Sequence, residues 1–358
     1  MKLVKSIVAL MLIAACLFSL ASCTTTKWVV KDEGDSVSDE LYIAYLVVAY
    51  LNADQQASYD GDTTTPMLQK KIEDKPASQW IKDTALDMVM SHISLARVFD
   101  DMKLSFTDEE KAEIEKNVTE QWDSQVKSIL EPNGSSKEAF LELTYNGEKQ
   151  QKVFEALYLE GGSKAPTADE IKTYYDEHWI NFNMMMDTLK DKDGNADTDE
   201  AKAGKIDKFK ALLARIDAGE TFAKISAEFQ NEKAKENVAE GAEAPTEVKE
   251  EDITPQFSNI EQLGYPEELM TELKKIEKGK TSFAEITIQE TPYIFLLQNL
   301  SIEEKFEETK DSIINAMKGE EFTKYLDDIA AEVNKTAKIN SAAFNRFTPE
   351  KIIPPSGA

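Results

Sequence analysis

The chain has 358 residues, with 41 Lys and Arg against 67 Asp and Glu, so its formal net charge at pH 7 is −26. A surface this acidic repels phosphate groups, which excludes nucleic acids as partners. Hydrophobic residues make up 41% of the chain and aromatic residues 9%, which is enough to bury a core and excludes a wholly disordered chain. Its two histidines, His92 and His178, are too few for a His-rich metal site, and we expect no Ser-His-Asp triad.

The N-terminus is predicted to be a lipoprotein signal peptide at residues 1–22. Lys2 and Lys5 precede an apolar run at 7–18, which is too short to span ~30 Å of hydrocarbon and suits a secretory signal. The run ends in Leu-Ala-Ser-Cys, which resembles the lipobox of bacterial lipoproteins. This resemblance implies that Cys23 carries the lipid and becomes the new N-terminus. The alternative is an ordinary signal peptide with an incidental cysteine.

A lipidated N-terminus would anchor the protein to the bacterial cell membrane, outside the cytoplasm. Cys16 leaves with the signal and Cys23 is acylated, so the mature protein has no disulfide and must be stabilised by packing. The sequence has no P-loop and no dinucleotide-binding motif, and no ATP is available outside the cytoplasm. We therefore predict no cofactor.

Residues 23–34 are predicted to form a tether and a first strand, and residues 35–165 an all-helical domain. Helix starts are predicted where a Ser or Thr precedes an apolar run, with Glu three residues later in the capping boxes. The predicted caps are Ser38, Thr107 with Glu110, and Ser135 with Glu138. Apolar residues at helical spacing predict further helices over about 78–102 and 147–159.

A Gly-Gly-Ser-Lys-Ala-Pro linker at 161–166 leads into a second domain at 166–300, where strands and helices are mixed. The predicted elements are a helix capped by Thr167 and Glu170, a strand at 182–189, helices at 201–218 and 219–229, a low-complexity acidic loop at 231–252, a short helix from Pro266, and a hairpin with strands 283–289 and 293–298. A long apolar stripe predicts a helix within 301–337 that packs on the N-terminal domain. Residues 338–358 are assigned to a tail.

The order of these elements resembles the extracytoplasmic parvulin-type foldases, the PrsA- and SurA-like proteins. The resemblance is carried by residues 211–223, which contain Gly-Glu-Thr-Phe-Ala, by residues 266–282, and by the hairpin at 283–300. It implies an α+β, predominantly helical fold. A SurA-N-like helical chaperone domain would be followed by a parvulin-like domain with a small antiparallel sheet and by a long C-terminal helix.

The histidines that mark the active site of parvulin-type isomerases have no counterpart here. In that family, one histidine lies in a His-Ile-Leu-like triplet of the first strand and another on the last strand. The triplet aligns with Asp187-Thr188-Leu189 in this chain, and residues 292–296 of the last strand contain no histidine. We therefore predict no catalytic residue and a degenerate isomerase site, with Asp187 as the candidate to replace the first histidine.

The consecutive methionines at 184–186 favour a peptide groove, because methionine adapts to varied apolar partners. Met184 and Met186 share one face of the predicted strand and Met185 lies on the other. Simple core packing is the alternative. The candidate peptide-binding residues are Met184, Met186, Phe257, Leu269 and Tyr293. The alternating acidic residues at 191–199 lack the Gly and Glu of an EF-hand, so we predict a solvated turn and no metal.

Three functions remain open from the sequence. The first is a membrane-anchored chaperone or foldase that binds unfolded or nascent exported polypeptides through apolar surfaces of the helical domain, without covalent chemistry. The second is an active peptidyl-prolyl cis-trans isomerase, the one enzymatic activity that the resemblance suggests. The third is an envelope lipoprotein that scaffolds one partner and is not a chaperone. The sequence does not indicate which oligomeric state the protein adopts.

The lipobox is tested by Cys23→Ala, which should leave an uncleaved precursor or a soluble product. Each buried methylene of the lost lipid contributes about 0.8 kcal/mol to anchoring. Membrane fractionation measures the outcome, with Cys16→Ala as the control that keeps the lipobox and should stay anchored. A Cys23→Ala protein that is processed and membrane-bound like the wild type would contradict the assignment.

Overall fold

The computed structural model describes residues 27–59, 61–62, 64–236 and 245–355. The predicted signal peptide, Cys23 and the middle of the acidic segment lie outside the described residues. The chain divides into two compact units. Of the described residues, those up to Ala165 and those from Lys318 onward form the helical unit, and those within Pro166–Met317 form the sheet unit.

In the first part of the helical unit, the described residues form five α-helices and two short hairpins. Its helices are α1 (Asp39–Ser58), α2 (Ala77–Asp101), α3 (Asp108–Gln121), α4 (Lys127–Leu130) and α5 (Lys137–Tyr158). Its strands are β1 (Trp28–Asp32), β2 (Asp35–Ser38), β3 (Lys71–Ile72) and β4 (Lys75–Pro76). A π-helical turn at Trp122–Val126 joins α3 to α4. The predicted α+β, predominantly helical fold is confirmed.

The helix starts follow local capping chemistry. The Ser38 hydroxyl accepts from the Leu41 N–H at 3.1 Å, and the capping box of Thr107 and Glu110 is confirmed. The prediction for α5 was wrong in two ways, because Ser136 rather than Ser135 caps it and the helix runs unbroken through residues 146–147. A glycine inside a helix costs only about 1 kcal/mol, and packing of α5 against α2 outweighs that cost.

Helix α1 is buried on both sides and forms the centre of the helical unit. One side packs with Ile81 and Val89 of α2, and the other side contacts Trp122 and Leu130. Residues 41–49 of this helix are apolar all round, which is typical of such a central position. Within the described residues, no helix combines the length and the apolar character needed to cross a membrane.

The sheet unit is built on a four-stranded antiparallel sheet of order β6-β5-β8-β7. Its strands are β5 (Trp179–Thr188), β6 (Gln256–Asn259), β7 (Thr281–Ile288) and β8 (Thr291–Leu300). Its helices are α6 (Ala168–His178), α7 (Asp199–Asp217), α8 (Phe222–Glu236) and α9 (Glu267–Lys274). The predicted hairpin of β7 and β8 is confirmed. Strand β6 was not predicted, because four residues are too few to display an alternating pattern.

Both faces of the sheet are covered by helices. On one face, here called the α9 face, Ile180 and Phe182 of β5 pack against Leu273 of α9. On the other, here called the α7–α8 face, Met185 of β5 packs against Phe209 of α7 and against α8. Successive side chains of a strand point to opposite faces, so the side chains of β5 belong alternately to two separate cores.

Part of the acidic segment is ordered. Helix α8 extends to Glu236, five residues beyond the Asn231 start predicted for a loop. The Asn231 side chain donates to the Val248 carbonyl at 2.7 Å and accepts from the Val248 N–H at 2.8 Å. These two bonds join Asn231 to Val248, so both described ends of the predicted loop are structured.

The C-terminal residues complete the helical unit. Helix α10 (Phe306–Thr336) is continuous, and its residues from Lys318 onward belong to this unit. Strand β9 (Lys338–Ile339) pairs with β1, and α11 (Ser341–Arg346) places Ala343 in the core. Residues 338–355 are thus packed structure rather than the predicted tail. Elements this short carry no periodic signal in the sequence.

Phe322 of α10 tests how much the C-terminal segment stabilises the helical unit. Its ring lies 5.3 Å from that of Phe154, and its side chain is 5% exposed. Phe322→Ala should reduce the free energy of unfolding by about 3–5 kcal/mol, because it leaves a cavity among aromatic rings. Thermal unfolding followed by circular dichroism measures the loss. The exposed neighbour Lys324 supplies the control, since Lys324→Ala should change stability by less than about 0.5 kcal/mol.

Candidate functional site

A tight turn fixes the register of the sheet that carries the predicted peptide-binding residues. Gln289 and Glu290 form the two-residue connection between β7 and β8 and have φ angles of 47° and 66°. Positive φ at both positions is the geometry of a type I′ turn, whose twist matches that of paired strands. Ile288 therefore pairs with Thr291, and the register continues without a break to Thr281 opposite Gln298.

Three predicted peptide-binding residues lie together on the α9 face. Met184 pairs with Leu297 of β8 and Met186 with Phe295, whose ring lies 6.1 Å from that of Tyr293. Met184 and Tyr293 are half-buried against the core under α9, whereas Met186 is 51% exposed. We call Met184, Met186 and Tyr293 the methionine–tyrosine surface. It offers flexible apolar side chains to a partner that approaches the sheet.

The other two predicted residues are not part of this surface. Leu269 is 2% exposed inside the core between α9 and the sheet, so no peptide can reach its side chain. Phe257 pairs with Asn181, which lies between Ile180 and Phe182 and therefore on the opposite face. The Phe257 ring instead contacts that of Tyr175 at 6.4 Å. Without β6 in the predicted sheet, the face on which Phe257 lies could not be assigned.

Neither histidine reaches the methionine–tyrosine surface, and Asp187 is directed away from it. Asp187 lies between Met186 and Thr188, on the α7–α8 face, where its carboxylate forms an ion pair with Lys233 of α8 at 2.7 Å. His178 stacks on Tyr174, with ring centroids 4.0 Å apart, and its Nδ1 lies 3.1 Å from the Glu261 carboxylate. His92 belongs to the helical unit. The described part of the chain also has no cluster of three potential metal ligands.

The helical unit contains a cavity of about 400 Å³ that the sequence did not predict. An aromatic row lines one side, with Phe99 and Phe106 stacked at 5.3 Å and Phe106 and Tyr145 at 5.4 Å. Other lining side chains are acidic, namely those of Asp35, Asp100, Glu138 and Glu142. The aromatic residues come from two helices and the loop between α2 and α3, so nothing in the local sequence indicated that they meet.

The cavity holds negative charge that is only partly hydrated. Burial, together with the nearby charge of Asp100, raises the pKa of Asp35. Burial also raises the pKa of Glu142. Lys149, whose ammonium lies 5.6 Å from the centre of the Phe99 ring, is the lysine that lines the cavity. Such a cavity favours partners that combine apolar surface with positive charge.

His92 also lines this cavity and is neutral at pH 7. It is 8% exposed, and its Nδ1 lies 2.8 Å from the Tyr45 hydroxyl oxygen. Burial lowers its pKa to about 4. A buried neutral imidazole that is hydrogen-bonded to a buried tyrosine serves packing.

Comparison with known proteins gives matches among solved structures. No family model and no curated protein sequence matches the chain. The matching structures include the PrsA foldase of Lactococcus lactis, with 14% identity, a TM-score of 0.37, and coverage of 89% of this chain and 97% of that one. The chain resembles PrsA foldases and SurA-like chaperones.

Two further structures illustrate the range of this resemblance. PrsA of Streptococcus pneumoniae has 15% identity and a TM-score of 0.35, with coverage of 90% of this chain and 100% of that one. A SurA-like chaperone of Campylobacter jejuni has 11% identity and a TM-score of 0.25, with coverage of 88% and 98%. These are the two groups of proteins that the order of elements in the sequence resembles.

His92 predicts a pH dependence of stability in the acidic range. The unfolded chain binds a proton at His92 near pH 6.5, whereas the folded chain binds it only near pH 4, so stability falls as the pH drops between these values. Because of this difference, the free energy of unfolding should be about 2 kcal/mol lower at pH 5 than at pH 8.

Urea unfolding of the wild type and of His92→Gln at the two pH values isolates this contribution, since other groups titrate in both proteins. On going from pH 8 to pH 5, the free energy of unfolding should fall by about 2 kcal/mol more in the wild type than in the variant. Equal losses in the two proteins would show that His92 is accessible to protons in the folded chain.

Proposed function

We propose that this protein is a lipid-anchored extracytoplasmic chaperone that holds unfolded exported polypeptides without accelerating prolyl isomerisation. The observation that carries the proposal is the 51% exposure of Met186 beside Tyr293, on a sheet face that is otherwise packed under α9. A large apolar side chain in such a place is suited to contact with the apolar residues of an unfolded chain.

Binding of this kind needs no covalent step. Burying one methionine or tyrosine side chain of this surface contributes about 1.5–3 kcal/mol, so a few contacts give a weak and reversible complex. The complex lowers the concentration of free unfolded chain and so slows aggregation. The aromatic row of the helical-unit cavity is a second apolar surface for the same clients, with acidic side chains that favour basic segments.

The groups available at the sheet support the proposed lack of isomerase activity. Rotation about a peptide bond has a barrier of about 18–20 kcal/mol, and parvulin-type enzymes place a pair of hydrogen-bonded histidines beside the twisting bond. The chain has no histidine after His178. Asp187, the candidate substitute, is ion-paired to Lys233 on the opposite face from Met186. An ionised carboxylate also lacks the donor that a neutral imidazole provides.

The anchoring part of the proposal rests on the lipobox-like sequence that ends at Cys23. A lipid on this residue would leave the whole mature chain outside the cytoplasm, where exported polypeptides emerge unfolded. A chaperone that acts there has no ATP to drive release, so it needs weak contacts rather than a nucleotide cycle. The small methionine–tyrosine surface meets that need.

The chaperone function is tested by light scattering from an aggregating client with Met186→Asp. We expect the variant to bind the client about tenfold more weakly, because a charge replaces an apolar contact of about 1.5 kcal/mol. Ile353→Asp is the matched control, since Ile353 is 54% exposed but lies in the helical unit. If wild type fails to suppress aggregation, or if the two variants behave alike, the proposed client surface is wrong.

The same preparations are then assayed with a short Xaa-Pro peptide for cis-trans isomerisation. The expected rate equals that of the uncatalysed reaction for the wild type and for both variants. Acceleration by the wild type that is lost in Met186→Asp would instead identify an active isomerase whose pocket does not use histidine.

A further inference from the structure

Strand β7 is an open edge of the four-stranded sheet. It pairs with β8 on one side, and no strand within residues 27–59, 61–62, 64–236 or 245–355 pairs with its other side. The opposite edge of the sheet is the short strand β6, which has four residues, whereas β7 has eight. An exposed edge strand presents unpaired backbone donors and acceptors to any other extended chain.

The register of the hairpin identifies the backbone groups that point outward. The Pro292 carbonyl accepts from the Leu189 N–H at 2.9 Å, so the backbone of Pro292 is directed away from β7. Thr287, which is opposite Pro292, is therefore not hydrogen-bonded to β8, and its N–H and C=O point to the open edge. By the same alternation, the outward-pointing residues of β7 are Thr281, Phe283, Glu285 and Thr287.

The usual devices that protect an edge strand are missing from β7. The strand contains no proline, and its register with β8 shows no bulge. Its one charged residue is Glu285, which forms an ion pair with Lys202 of α7 at 3.0 Å. Edge strands of natural proteins are commonly protected by proline, bulges or several charges. A long edge strand without such protection is therefore expected where a partner binds to it.

A groove beside this edge indicates the chemistry of the partner. It has a volume of about 400 Å³ and runs between α9 and β7. Its acidic lining residues are Glu267, Glu268, Glu272 and Glu285. Glu272 is paired with Lys275, but Glu267 and Glu268 form no ion pair with any residue that the structure describes. The groove therefore favours side chains that carry positive charge.

We propose that the open edge of β7 binds an extended segment of an unfolded polypeptide, which adds to the sheet as a fifth strand. Backbone hydrogen bonds to the outward-pointing residues supply affinity without regard to sequence. Basic side chains at alternate positions of the segment reach the glutamates of α9. This inference rests on the proposed chaperone function and adds the class of segment that is preferred.

A second copy of this chain fits the edge less well. An antiparallel pair of β7 strands centred on Glu285 would place the two Glu285 carboxylates directly opposite each other, which is destabilising. The two sets of α9 glutamates would also approach one another, in a protein whose net charge is already −26. Charge complementarity therefore points to a basic partner.

The experiment measures binding of a fluorescent octapeptide of alternating Lys and Val to the full-length protein by fluorescence anisotropy. Thr287→Pro removes one outward N–H without removing a bond to β8, and Thr287→Ala is the matched control that keeps this N–H. We expect the Pro variant to bind about tenfold more weakly and the Ala variant to bind like wild type. Thermal unfolding checks that both variants are folded.

A second measurement uses the wild type alone, so that it does not depend on the folding of a variant. The same peptide with N-methyl groups on alternate residues, and a Glu-Val peptide of equal length, should each bind at least about tenfold more weakly. Strand addition would be overturned if the N-methylated peptide bound as tightly as the unmodified peptide. It would also be overturned if Thr287→Pro bound the unmodified peptide as tightly as wild type does. Self-association of the wild type in sedimentation that Thr287→Pro abolishes would overturn the choice of partner in favour of a second copy.

Light scattering separates this inference from the proposed function. If wild type suppresses client aggregation but does not bind the Lys-Val peptide, the edge proposal is wrong and the chaperone proposal stands. If wild type binds the peptide and Thr287→Pro does not, but neither protein suppresses aggregation, the edge is a binding site and the chaperone proposal is wrong.

Discussion

The alternation of side chains along β5 is the constraint on which the sheet unit depends. This strand is paired on both sides, with β6 and with β8, and its side chains pack in two separate cores. Met185 belongs to the α7–α8 face, while Met184 and Met186 belong to the α9 face. A shift of one residue would exchange the faces, moving Met185 and Asp187 to the α9 face and Met184 and Met186 to the α7–α8 face. The candidate site thus exists only in this register.

The sequence could predict the features that depend on local interactions. The capping boxes at Thr107 and Thr167, the β7–β8 hairpin and the shared face of Met184 and Met186 follow from short-range spacing. The burial of Leu269 and the face on which Phe257 lies depend on β6 and α9 packing on the sheet. Those contacts join residues distant in sequence, and they are set by tertiary packing rather than by propensity.

In the proposed function, the surfaces of this protein would select clients by two different forces. The methionine–tyrosine surface is apolar, so its contacts are insensitive to salt. The cavity of the helical unit and the groove between α9 and β7 are acidic, so their attraction to basic segments weakens as ionic strength rises. Apolar burial provides strength with little selectivity, and the acidic groups add a preference for positively charged chains.

The pairing of β1 with β9 has a consequence for the order in which the chain acquires its structure. Asn340 donates a hydrogen bond to the Trp28 carbonyl at 3.1 Å, across 312 residues of sequence. The sheet unit is one continuous stretch and can form as soon as it has emerged during synthesis. The part of the helical unit that precedes the sheet unit is made earlier, but it lacks Val333 and Ala343 of its core until those two residues have been made. Its completion waits for Val333 and Ala343 and for closure of a very long loop, so helices that are made before the sheet unit are completed after it.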